Sequence, residues 1–186
     1  MVVILLSLHQ NIVSLNEGGT KLPYFFDMLT DSIRQQIAAF LAEHHPDVFI
    51  VEMDMNQGNR TSLSLLIDND NGIRLEQITA VAKSLGPWLD ESEIFDYDHG
   101  LEISSPGATE PLRIWRQYPK NIGRELLIKT TEGKEILGLL EEVSEANVNV
   151  RLRQNKKPVK GRPIKYEEEL LEIPFENIIQ ASVHIK

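Results

Sequence analysis

The run Ser105-Pro106-Gly107, with a further proline at Pro111, divides the chain into two stretches of different periodicity. Proline gives no amide hydrogen to a strand ladder and glycine accepts a positive φ, so a strand entering this run stops and leaves by a turn. Just upstream, Tyr97, His99, Leu101 and Ile103 fall on one face and Asp98, Gly100, Glu102 and Ser104 on the other, the alternation of a half-buried strand. Residues 97–104 are therefore expected to be the last strand of one domain, and Ser104, Ser105, Pro106, Gly107 and Pro111 to form the passage to a second.

Before that break the pattern mixes periods. Leu29, Ile33, Ile37, Phe40 and Leu41 recur at helical spacing, which predicts a helix over 28–44 ended by His44-His45-Pro46. Val48–Val51 and Thr61–Asp68 read as strands joined through Asn56-Gln57-Gly58-Asn59. Leu75, Ile78, Val81, Ala82 and Leu85 mark a second helix, stapled by Ile73 onto Ile78 and closed by Gly86-Pro87. Helix, strand, strand, helix, strand is most simply buried as a three-stranded sheet with both helices on one face, an α+β arrangement.

After Leu112 only short strands follow, over Glu125–Thr130, Glu135–Val143, Val148–Arg153, Glu169–Ile173 and Ile179–Ile185. Five such strands with turn residues between them suggest a small, bent β-barrel in which closure removes exposed edges. The expected domains are thus 28–107 and 113–186, with 108–112 as connector and 1–27 as a flexible extension. Val2-Val3-Ile4-Leu5-Leu6 is too short to span a bilayer, and it lacks both a preceding Lys or Arg and a following small-residue cleavage site, which argues against a secretory signal.

Charge separates along the same line. Residues 1–111 hold 5 Lys and Arg against 17 Asp and Glu, whereas 112–186 hold 14 against 11. The net charge of −9 hides a second half able to meet phosphate. There is no cysteine, which removes disulfides and thiolate chemistry and is compatible with a reducing cytoplasm.

Leu101-Glu102-Ile103-Ser104-Ser105-Pro106-Gly107, then Pro111-Leu112 and Asn121-Ile122-Gly123-Arg124, resembles the signature of the ribosome maturation factor RimP family. Val48–Glu52, Arg60–Asp68 and Gly72 are similar to that family's first hairpin, and Ile173–Ala181 to its closing segment. The resemblance spans Met28 to Lys186 and implies a KH-like N-terminal domain followed by an Sm-like or SH3-like barrel. It also implies the role: a cytoplasmic, monomeric, non-enzymatic factor that binds the immature small ribosomal subunit, with ribosomal RNA and a small-subunit ribosomal protein near the decoding region as partners. The family usually has leucine where this chain has Ala108 and arginine where it has Glu110, so a basic contact by that arginine does not carry over.

Other chemistries fail on spacing. Asp68-Asn69-Asp70-Asn71-Gly72 places Ile73 and Thr79 where an EF-hand loop needs glycine and a bidentate glutamate, which leaves a solvated turn. Ser105 has Ile103 where a nucleophile elbow needs glycine, so His99 is expected as a core or interface histidine. His44-His45 lacks metallopeptidase spacing. No two glycines lie three apart, so the KH-domain RNA clamp is missing and the KH-like resemblance is architectural.

What remains is Arg151 to Lys165, which carries Arg151, Arg153, Lys156, Lys157, Lys160, Arg162 and Lys165 with no acidic residue. Pro158, Gly161 and Pro163 keep it from being helical, so it is expected as a loop between strands that meets ribosomal RNA phosphate or a protein surface that binds basic groups, with Tyr166 at its edge for stacking. No cofactor, metal or membrane is implied. The rivals are an Sm-like RNA-binding chaperone acting as a ring, and a metal-dependent phosphoesterase built on Asp68 and Asp70.

Overall fold

The computed structural model describes residues 23–57, 61–92, 94, 99–154 and 163–185. The hairpin turn at Gly58-Asn59, the strand start at Tyr97 and Asp98, and Lys156, Lys157, Lys160 and Arg162 lie outside them.

Helix α1 spans Pro23–His44, opening five residues before the expected start with proline at its first position, where the missing amide hydrogen costs nothing. Ile33, Ile37, Phe40 and Leu41 are its buried stripe. Strand β1 (Val48–Gln57) pairs antiparallel with β2 (Thr61–Asn69), and Val51 forms a bulge between Ile50 and Glu52. Strand β3 (Gly100–Ser104) pairs with β2 in parallel. A parallel pair needs a crossover, and α2 (Leu75–Glu91) supplies it. Leu63, Leu65 and Ile67, on one face of β2, share a single apolar cluster with Ile37 and Leu41 of α1 and Val81, Leu85 and Leu89 of α2. Ile73 and Ile78 pack against that cluster together, as a staple should.

Helix α2 does not stop at Gly86-Pro87 but runs through it to Glu91. An interior proline costs about 3 kcal/mol, whereas fully burying one large apolar side chain returns about 1.5–3 kcal/mol. Two large apolar side chains follow the proline: Leu89, 1% exposed, and the half-buried Trp88, whose ring centroid lies 4.9 Å from that of Phe40. Gln77 caps the other end, its Oε1 accepting the Arg74 amide hydrogen at 3.0 Å.

The second sheet contains β4 (Glu125–Thr130), β5 (Glu135–Val143), β6 (Asn147–Arg153), β7 (Tyr166–Pro174) and β8 (Ile178–Val183). It is antiparallel throughout, in the order β7-β6-β5-β4-β8. Bulges in the β4–β8, β5–β6 and β6–β7 ladders bend it around Leu126, Ile128, Leu140, Val148, Val150, Ile173 and Ala181. Edge protection comes partly from the connector: Pro111 bridges to Ser182, and the Leu112 amide donates to the Ala181 carbonyl at 2.8 Å, along the outer side of β8. Gly107 does not take the positive φ its sequence context suggested. Its turn is made by the Glu110 amide donating to the Gly107 carbonyl at 3.0 Å.

Candidate functional site

Two single 3-10 turns, Trp115–Gln117 and Pro119–Asn121, follow the connector and project one face toward the first sheet. Gln117 and Asn121, both buried, hold the turns together. Gln117 Oε1 accepts the Arg113 amide hydrogen at 2.8 Å, and Asn121 Nδ2 donates to the Gln117 carbonyl at 2.8 Å. Arg124 Nη1 donates to Asn121 Oδ1 at 2.9 Å, with Gly123 at φ 83 in the turn between them.

From this scaffold three cations reach three carboxylates of the first domain, two on the sheet and Asp70 in the turn after β2. Arg113 pairs with Glu52, Arg116 makes two hydrogen bonds of 2.9 Å to the Asp70 carboxylate, and Lys120 donates to Asp68. Lys120 also donates to the Asn69 carbonyl at 3.2 Å, and Gln117 Nε2 donates to Asp68 Oδ2 at 3.3 Å. The Arg116 guanidinium lies 4.4 Å from the centroid of the Phe49 ring, on the side of the sheet facing away from the helices. The Arg116 hydrogen bond, with its charge, holds the Asp70 carboxyl below the usual carboxylate range.

The expectation of a solvated turn at Asp68-Asn69 is therefore corrected. Asp68 is 3% exposed and Asn69 5%, because the junction covers them. Arg113, Arg116 and Lys120 recur three and four residues apart just past the connector, opposite an acidic first half; that spacing was the available signal.

The basic segment is split by the fold. Arg153 is buried, its Nη1 3.3 Å from Glu125 Oε2, while Tyr166 donates its hydroxyl hydrogen to Glu125 Oε1 at 3.0 Å. The shift in the β6–β7 register between Arg151 and Arg153 accompanies this inward turn, so Arg153 offers no surface charge to phosphate. Burial, followed by the Glu125 bond, raises the Tyr166 pKa. Arg151 is half-buried, its Nε 2.9 Å from Glu141 Oε1 and its Nη1 donating to the Glu168 carbonyl at 2.8 Å. Lys165 is exposed. In the connector Ser104, Ser105, Pro106 and Pro111 are half-buried and Gly107 is exposed. The His99 ring is buried, 3.7 Å from Asp90.

A helix-covered three-stranded sheet clamped by ion pairs to a bent five-stranded antiparallel domain defines a two-part α+β protein whose buried Asp68 and Gln117 serve the junction. Its N-terminal part, residues 36–109, matches the RimP N-terminal domain family. The chain is 36% identical over 134 residues to the ribosome maturation factor RimP of Flavobacterium psychrophilum, covering 71% of this chain and 82% of that protein. It is 31% identical over 159 residues to the RimP of Christiangramia forsetii, covering 85% and 99% respectively. The chain belongs to the ribosome maturation factor RimP family.

Proposed function

We propose that this protein binds the immature small ribosomal subunit in the cytoplasm and assists its maturation without catalysing a reaction. The observation that carries this reading is a likeness reaching across 85% of the chain to a protein named ribosome maturation factor. The charge distribution supports it. Arg151 and Arg153 root the start of the basic segment in β6, which leaves Lys156, Lys157, Lys160, Arg162 and Lys165 as the cations offered to ribosomal RNA phosphate. The first domain, 28–107, and the second, 113–186, act together across the 108–112 connector. No helix among the described residues is long and apolar enough to cross a membrane.

A ring of Sm-like subunits is disfavoured on physical grounds. Ring closure by edge pairing needs both outer strands free, and Pro111-Leu112 already lie along part of β8. A monomer is the expected solution state.

The test is replacement of Lys156, Lys157, Lys160 and Arg162 by alanine. Binding to small-subunit precursors is expected to weaken, and the slope of log affinity against log salt to become shallower by roughly 3, at about 0.7–0.9 for each phosphate no longer neutralised. Wild-type affinity and slope in this variant would remove the basic segment from the interface. A normal small-subunit population in cells lacking the protein would remove the role itself.

A further inference from the structure

A cavity of about 350 Å³ opens at the end of the second sheet where β4 begins, β6 ends and β7 begins. That volume falls in the range of about 300–1,000 Å³ usual for small-molecule sites. Leu139, Ile185 and the Tyr166 ring give it apolar walls, Glu125 is the buried member of its lining, and Arg124 and His184 stand exposed at its rim. Arg153 lies behind that lining. Its side chain is only 2% exposed, its Nη1 is 3.3 Å from Glu125 Oε2, and it faces Tyr166 across the β6–β7 ladder. Arg153 Nε and Nη2 are buried and have no hydrogen-bond partner among the described residues. Those two atoms form one edge of the planar guanidinium, a fork of parallel N–H donors, and Arg116 uses the same edge to grip both oxygens of Asp70. Buried donors left unmet are costly, so this fork suits a ligand that brings two adjacent acceptors.

Charge selects the ligand. Arg153 and Glu125 cancel at depth, so an anion placed there would lose its water and meet the Glu125 carboxylate, whereas a neutral group meets a neutral pair. Positive charge lies instead at the rim. Arg124 donates to the neutral Asn121 Oδ1 and has no ion pair among the described residues. A flat neutral ring with an acceptor edge, carrying an anion on its outer side, describes a nucleotide. Guanine sets two acceptors side by side at O6 and N7, the pair that arginine most often takes, and adenine and uracil have no two adjacent acceptors. We propose that this mouth receives the base of an unpaired guanine nucleotide, with O6 and N7 on the Arg153 fork, the ring stacked on Tyr166 and the phosphate between Arg124 and His184. Entry turns the Tyr166 ring away from Glu125 and onto the face of the base. The source of the nucleotide, RNA of the immature subunit, rests on the proposed function. The basic segment departs between Arg153 and Tyr166, so phosphates flanking the captured base would fall beside its cations.

The test uses the full chain. Fluorescence anisotropy follows labelled uridine hexamers, one set all uridine and the others carrying a single guanosine, adenosine, cytidine or 7-deazaguanosine. The guanosine hexamer is expected to bind about tenfold more tightly than the uridine and adenosine hexamers, and 7-deazaguanosine, which lacks the N7 acceptor, to lose that advantage. Tyr166→Leu should remove about tenfold from guanosine binding by deleting the stacking face. The 7-deazaguanosine arm needs no variant, so it decides the matter should Tyr166→Leu fold poorly. Guanosine 5′-monophosphate should shift the Ile185 methyl resonance saturably, and inorganic phosphate should not. Equal binding of all hexamers, a preference for another base, indifference to the loss of N7, indifference of a folded Tyr166→Leu variant, or the same methyl shift with inorganic phosphate would each overturn the inference. Co-sedimentation with small-subunit precursors separates this claim from the one it rests on. Particle binding by a chain that shows no guanine preference refutes the mouth alone, and guanine capture without particle binding refutes the proposed function.

Discussion

Lys120→Met tests whether the junction depends on a buried charge. The substitution keeps the aliphatic stem and removes the cation, leaving the Asp68 carboxylate, whose side chain is 5% exposed, without its charged partner. Removing one member of a buried pair costs about 3–5 kcal/mol, because the remaining charge is left uncompensated. Two donors persist, the Asn69 amide at 2.8 Å and Gln117 Nε2 at 3.3 Å, and Lys120 itself is 19% exposed. These place the expected loss at the low end, about 3 kcal/mol, or a fall of about 6–12 °C in Tm for a chain of this size. Calorimetry is the assay, and separation of one transition into two would localise the loss to the junction. Arg116→Met is the control. Its pair with Asp70 is 39% and 56% exposed, and such pairs contribute about 0–1 kcal/mol. Asp68→Asn combined with Lys120→Met should restore about half of the loss, since the neutral amide no longer needs a counter-charge. A Lys120→Met effect no larger than that of Arg116→Met, or no recovery in the double variant, would refute the reasoning.

Further outcomes follow from individual neighbours. A methyl group added at Gly138 would lie 2.9 Å from the Arg151 carbonyl oxygen and 3.2 Å from Val150 Cβ, so Gly138→Ala should cost about 1–3 kcal/mol in urea unfolding; an unchanged midpoint would mean the β5–β6 ladder yields freely. Burial, then the neighbouring His44 charge, lowers the His45 pKa, and the His45 ring lies 2.7 Å from Ser84 Oγ. The folded state therefore favours neutral His45, and stability should decline as pH falls below the ordinary histidine value of about 6.5. The decline should be reduced in His45→Gln, as read from urea midpoints at neutral and mildly acid pH.

Periodicity within one element is a local property, and whatever depends on it was legible along the chain. Alternation placed β4 and β5 at Glu125–Thr130 and Glu135–Val143, and helical spacing placed Ile33, Ile37, Phe40 and Leu41 on one buried face. The fate of charges and of local stop signals was settled instead by long-range packing. Asp68 meets Lys120 across 52 residues and Arg153 meets Glu125 across 28, so neither burial could be read from neighbouring sequence. Pro87 stays helical because Trp88 and Leu89 find a core beyond it. Likewise the basic segment reads as one uniform run, yet the β6–β7 register turns Arg153 inward, and pairing with β5 ties Arg151 to Glu141. A charge takes its role from what the fold brings within hydrogen-bonding distance, which is set by the docking of the two parts for Asp68 and by strand order and register within the second sheet for Arg151 and Arg153.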